Sequence, residues 1–99
     1  MLIVTGTMQV PETEVEAMKL AANEVARATR HEEGCIEYAF WQDIDNPAKF
    51  RVYEEWRDLD CLKAHGKSAH MAVYREKLEG MGAFGRDINL FDPGPITKL

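Results

Sequence analysis

Residues 46–74 read NPAKFRVYEEWRDLDCLKAHGKSAHMAVY, and they decide the fold. Asn46-Pro47, after Asp45, is turn chemistry. Alternation then places Phe50, Val52, Glu54 and Trp56 on one face of a strand, with Arg51, Tyr53 and Glu55 on the other. Asp58 is placed to cap a short helix containing Leu59, Leu62 and Ala64, and Gly66 interrupts it. Ser68 can cap a following helix with Met71, Tyr74 and Leu78 along one face. Turn, strand and broken helix thus bring Glu54, Trp56, His65 and His70 into one short span.

Upstream, Leu2, Val4, Met8 and Val10 alternate with Thr5, Thr7 and Gln9, a strand with one buried face that Pro11 ends. Gly6 marks a bulge or a close backbone approach. Thr13 and Glu16 carry the spacing of a capping box. The helical stripe Val15, Met18, Ala22, Val25 and Thr29 follows, with Gly34 as its expected stop. Cys35 to Asp43 reads as a second strand, with Ile36, Tyr38 and Phe40 on one face and Glu37, Ala39 and Trp41 on the other. It forms a hairpin with the strand at Phe50–Trp56. Arg86 to Phe91 is a fourth strand, ended by Asp92-Pro93-Gly94-Pro95. The order strand, helix, strand, strand, helix, strand is the α+β ferredoxin-like split βαβ arrangement. Residues 1–99 make a single domain, with a core over 1–91 and a tail over 92–99. Helices should cover one face of the sheet. Ile3, Trp41, Tyr53 and Phe91 on the other suggest a homodimer packed sheet to sheet.

Composition excludes several classes. Apolar residues make up 45% and charged residues 29%, which is globular rather than disordered. A net charge of −5 argues against a nucleic-acid partner, which needs a basic stripe. No apolar run reaches the roughly 18 residues of a membrane span, so no membrane role is expected. Met1 leads straight into an apolar strand, so no signal peptide is expected, and a cytoplasmic setting with reduced thiols is the simplest. Cys35 and Cys61 have neither zinc spacing nor a disulfide framework.

The chemistry-bearing residues each have two readings. Glu54, on an apolar strand face, is a pocket acid or histidine orienter, or else an anchor for a helix N-terminus or an arginine. Trp56 is a stacking wall or plain core. His65 follows Leu59 and Leu62 at helical spacing, so its ring should face the sheet, and His70 lies just past the break at Gly66. Imidazole titrates near neutrality and suits proton transfer. His65 and His70 are five apart with a glycine between, which disfavours a helical metal pair, and His31-Glu32-Glu33 lacks a second histidine. No metal is expected. No glycine-rich phosphate loop follows a strand, so no nucleotide or flavin cofactor is expected either.

The segments GCIEY at Gly34–Tyr38, NPAKF at Asn46–Phe50, EEW at Glu54–Trp56 and H-x-x-S-x-H at His65–His70 occur in an order and spacing that resembles the antibiotic biosynthesis monooxygenase domain. The nearest branch looks like the small bacterial quinol monooxygenase-like proteins. The resemblance runs to about Phe91. It implies a dimeric ferredoxin-like α+β barrel with a pocket between sheet and helices. It also implies oxidation of small phenolic or quinol-type aromatics by O2 without a cofactor, in which a base removes a phenolic proton. Carried onto this chain, the catalytic residues become His65, His70, Glu54 and Trp56. The substrate-binding residues become Tyr38, Phe40, Phe50, Val52, Tyr74 and Arg86. Relatives that degrade haem use an asparagine on the first strand, where this chain has Thr5, Gly6 and Thr7. Two other readings remain: an isomerase of a small, phosphorylated or unphosphorylated, metabolite in the same pocket, and a non-catalytic dimer that binds a small ligand.

Overall fold

The computed structural model describes residues 1–99. Its elements are β1 (Leu2–Gln9), α1 (Val15–Thr29), β2 (Cys35–Gln42), β3 (Lys49–Trp56), α2 (Leu59–Gly66), α3 (Ala69–Met81) and β4 (Phe84–Phe91). The strands form one antiparallel sheet in the order β2-β3-β1-β4. This is the α+β ferredoxin-like arrangement, with the second helical crossover broken into α2 and α3.

Strand register explains what lies under the helices. Val4 pairs with Glu54 on one side and Leu90 on the other, and Glu54 pairs with Tyr38. One row across the sheet therefore runs Leu90, Val4, Glu54, Tyr38. The next runs Ile88, Gly6, Val52, Phe40. Opposed residues share a face, so both rows point toward the helices. The stripe on α1 seals one end of this face: Met18, Ala22, Val25 and Thr29 are all buried. Both caps of the broken crossover form as the sequence implies. The Asp58 side chain accepts from the Cys61 N–H, and the Ser68 side chain accepts from the Met71 N–H.

Several local expectations are corrected. The Thr13–Glu16 capping box does not form. Pro11 instead starts a 3-10 turn over Glu12–Glu14, closed by a 2.8 Å bond from the Glu14 N–H to the Pro11 carbonyl, and α1 begins only at Val15 without a side-chain cap. The stop of α1 is Arg30, not Gly34. Gly34 instead takes φ +77° at the entry to β2, where a Cβ would lie 2.4 Å from Cys61 Sγ. Ile36 does not share the Tyr38 face. A register shift between Cys35 and Glu37 turns Ile36 out to 57% exposure and gives Cys35 the inward position. The fourth strand starts at Phe84 rather than Arg86. On the uncovered face Trp41 and Phe91 are exposed, while Ile3 is already buried within the protomer.

Gly6 is a close approach rather than a loosening of β1. A Cβ there would sit 2.0 Å from the Asp87 carbonyl oxygen and 2.4 Å from Ile88 Cα, both backbone atoms. Gly6→Ala must therefore push β4 off β1. The expected cost is about 1–3 kcal/mol in chemical denaturation, and an unchanged midpoint would contradict the contact.

Candidate functional site

The two sheet rows form the floor of a cavity of about 590 Å³, and α2 and α3 form its roof through Leu62, His65, Gly66, Met71, Tyr74, Arg75 and Leu78. Val4, Met8, Tyr38, Phe40, Val52, Ile88 and Leu90 make the lining mostly apolar. The polar residues lining it are few: Glu54, His65, Arg75, Arg86, Asn89 and the two tyrosines, Tyr38 and Tyr74. An apolar cavity with a few convergent polar groups is the usual form of a small-molecule site.

His65 is the best-held of these groups. Its side chain is 5% exposed, and its ring lies 4.8 Å from the Trp56 ring and 5.4 Å from Tyr38. The Nδ1–H donates to Glu32 Oε2 at 2.6 Å. A carboxylate can only accept, so this bond fixes the tautomer and leaves the lone pair on Nε2. No buried side-chain nitrogen in the protein lacks a partner, and Nε2 makes no protein hydrogen bond, so Nε2 is accessible. Burial pulls the His65 pKa below its usual value, opposed by the Glu32 hydrogen bond and charge.

The sequence-predicted residues separate. Tyr38, Phe40, Val52, Tyr74 and Arg86 line the cavity together with Glu54 and His65. Phe50 is buried in the core outside the lining. Trp56 is fully buried behind the cavity and is no stacking wall. Its Nε1–H donates to Glu54 Oε1 at 2.9 Å. His70 does not reach the cavity; its Nε2–H donates to the same Glu32 Oε2 at 3.0 Å from the other side. The carboxylate that orients His65 is therefore Glu32 and not Glu54. Glu32 sits in the turn between α1 and β2, 33 residues from His65, and no spacing rule joins the two. Arg86 has no ion-pair partner in the protein, although it lies near enough to Glu54 and Tyr74 to draw both their pKa values down.

Glu54 is neither an anchor for a helix end nor half of an ion pair; its one protein hydrogen bond comes from Trp56. Burial raises its pKa from 4.5 to about 7, against the Trp56 hydrogen bond and Arg86, which lower it. Burial likewise pushes the hydroxyls of Tyr38 and Tyr74 well above their usual range, with the Glu54 charge adding to it. A carboxyl with a raised folded-state pKa holds its proton longer in the folded chain than in the unfolded one. Its contribution to stability is complete below the unfolded value and is lost as pH rises through the folded value. Replacing Glu54 with Gln, which keeps an acceptor for Trp56, should remove that loss. Denaturation from pH 5 to pH 8 should show the variant gaining on wild type, by up to about 3 kcal/mol at the upper end. A constant difference across that range would show that Glu54 ionises normally.

Residues 1–77 match the antibiotic biosynthesis monooxygenase family. An uncharacterized protein of Synechocystis sp. is 24% identical over 90 residues, which are 91% of this chain and 61% of that protein, so the chain spans less than two thirds of its relative. A crystal structure from Deinococcus radiodurans, described as a candidate antibiotic biosynthesis monooxygenase, superposes with a TM-score of 0.94. It is 22% identical and covers 100% of this chain and 98% of that one. A conserved protein of unknown function from Bacteroides thetaiotaomicron gives a TM-score of 0.79 at 29% identity, over 91% of this chain and 92% of that one. With its strand order, its cavity under the broken crossover and a family match over more than three quarters of its length, the chain belongs to the antibiotic biosynthesis monooxygenase family.

Proposed function

We propose that the protein is a cofactor-independent oxidase or monooxygenase of a small phenolic or quinol-type aromatic, with O2 as oxidant. The observation that carries this is the 2.6 Å Glu32–His65 pair set in the wall of an apolar cavity, with Nε2 as its free nitrogen. A phenol entering the cavity places its hydroxyl against Nε2, which takes the proton. Glu32 holds the ring in place and stabilises the imidazolium that forms. Arg86, a cavity cation without a protein partner, faces the phenolate. The apolar lining keeps water away from the electron-rich anion. The substrate then supplies the electrons. In the oxidase form a quinol loses two electrons and two protons and O2 becomes H2O2. In the monooxygenase form an activated ring CH2 becomes C=O, and the second oxygen atom leaves as water.

Isomerisation of an anionic metabolite is a second reading, favoured by the two guanidinium groups, Arg75 and Arg86, at the cavity. It needs no O2, so turnover under anaerobic conditions separates the two. The uncovered sheet face, with Trp41 61% and Phe91 45% exposed, supports assembly as a sheet-to-sheet homodimer.

Metal-free protein should consume O2 with a quinol faster than buffer does. His65→Ala should lower that excess by about 10²- to 10⁴-fold, the usual worth of a positioned base. A panel of quinols oxidised no faster than in buffer would overturn the proposal. For the assembly, sedimentation at micromolar concentration should give the mass of a dimer, and a stable monomer would refute it.

A further inference from the structure

Behind His65, on the side away from the cavity, lies a cluster that the proposed chemistry uses only in part. Glu32 from the α1–β2 turn, His65 from α2 and His70 from the first turn of α3 bring one ligand atom each to within 4.8 Å of one another. We propose that these three residues form a binding site for a divalent transition-metal ion of the Zn2+, Co2+ or Ni2+ type, and that its occupation switches off the cavity base. Occupation of the site does not depend on the oxidase reading. The effect on activity rests on it.

The donor set decides the class of ion. Two imidazoles and one carboxylate suit Zn2+ and its neighbours, whereas Mg2+ and Ca2+ require oxygen ligands. Ligands about 2.1 Å from one ion lie roughly 3.0–3.4 Å from each other. His70 Nε2 already stands 3.0 Å from Glu32 Oε2, and His65 Nδ1 at 2.6 Å has only to open slightly. The third edge, between His65 Nδ1 and His70 Nε2, is bounded at 4.8 Å, so His70, the more exposed of the two rings, swings inward to complete the site, while its His65 side is pre-formed. His65 is clamped by Trp56 and Tyr38, and its backbone carbonyl is held by the Ser68 N–H and hydroxyl at the helix break. Two of the ligands remain within reach of solvent, with side chains 17% exposed at Glu32 and 27% at His70. Glu32 also opens onto a surface hollow shared with Glu33, Asp60 and Arg57, where three carboxylates outweigh the one guanidinium, itself paired with Glu33, and favour the approach of a cation.

Neither Glu32 nor His70 lines the cavity, so the ion would sit behind the base and not beside the substrate. That position has a consequence for the proton. In the metal-free protein the neutral His65 ring carries its hydrogen on Nδ1 and its lone pair on Nε2. When Nδ1 binds a metal, the single hydrogen of the neutral ring must reside on Nε2. The ring then offers the cavity an N–H donor in place of an acceptor, and no proton needs to leave the site. A ring in that state cannot deprotonate a phenol.

The test is a titration of chelator-treated full-length protein with Co2+, read by visible absorption, and with Zn2+, read by calorimetry. The expected result is one ion per chain at about 10–100 μM protein. Spectra should lack the charge-transfer band of a thiolate ligand, which separates this site from Cys35 and Cys61. Glu32→Gln and His70→Gln, each checked for native circular dichroism, should both weaken binding by more than about 100-fold. Absence of stoichiometric binding, or binding that neither substitution weakens, overturns the site. Zn2+ should also abolish quinol oxidation, and a chelator should restore it. Full activity in the Zn2+-saturated protein overturns the switch. A protein that binds Zn2+ as described but oxidises no quinol with or without it overturns the oxidase reading and leaves the site standing.

Discussion

The burial of Trp56 is the constraint on which the rest of the site depends. Its side chain is fully buried at the end of β3. A buried indole contributes several kcal/mol, and truncating one costs about 3–5 kcal/mol. It also needs a partner for its N–H, and Glu54, two residues back on the same strand face, supplies that partner. The ring then becomes the platform for His65 at 4.8 Å. One side chain thus brings a carboxylate into the cavity floor, fixes α2 over the sheet and sets the plane of the imidazole. Glu54 tolerates this placement because burial keeps it protonated up to about neutral pH.

The break between α2 and α3 matters for a related reason. A continuous helix would carry its side chains around one axis, and residues five apart would diverge. The turn at Lys67–Ser68, capped by the Ser68 hydroxyl, lets His65 and His70 approach one carboxylate oxygen from two directions. Their rings lie 6.1 Å apart at centroid, joined through Glu32 rather than stacked. The same break opens the roof over the two sheet rows, with Arg75 reaching back to the Gly66 carbonyl at 2.5 Å. Cavity, base and the cluster behind the base are therefore products of one local event in the chain.

Most local choices were legible because they depend on near neighbours. Asp58 and Ser68 cap the two short helices, and the α1 stripe is buried, as spacing alone implies. The failures are local signals overruled by a competing constraint. Pro11 initiates a 3-10 turn before the Thr13–Glu16 box can act. The register shift near Cys35 reverses the faces of Cys35 and Ile36, which strict alternation cannot foresee. Alternation puts Glu54 on an apolar face, where it lies, but its partner is Trp56 rather than a helix end or an arginine.

Written in the sequence are the order of the elements, the covered and uncovered faces of the sheet, and the side of the sheet on which Glu54 and His65 lie. All of these follow from periodicities of 2 and 3.6 residues and from caps within a few positions. Which carboxylate holds the base is settled by long-range packing. Glu32 meets His65 and His70 across 33 and 38 residues, through the docking of a turn against a helix break, and no local pattern encodes that distance. Long-range packing also decides that Trp56 supports the cavity from behind and that His70 stands outside it. Alternation assigns a face of the sheet, but depth within that face depends on what packs above it.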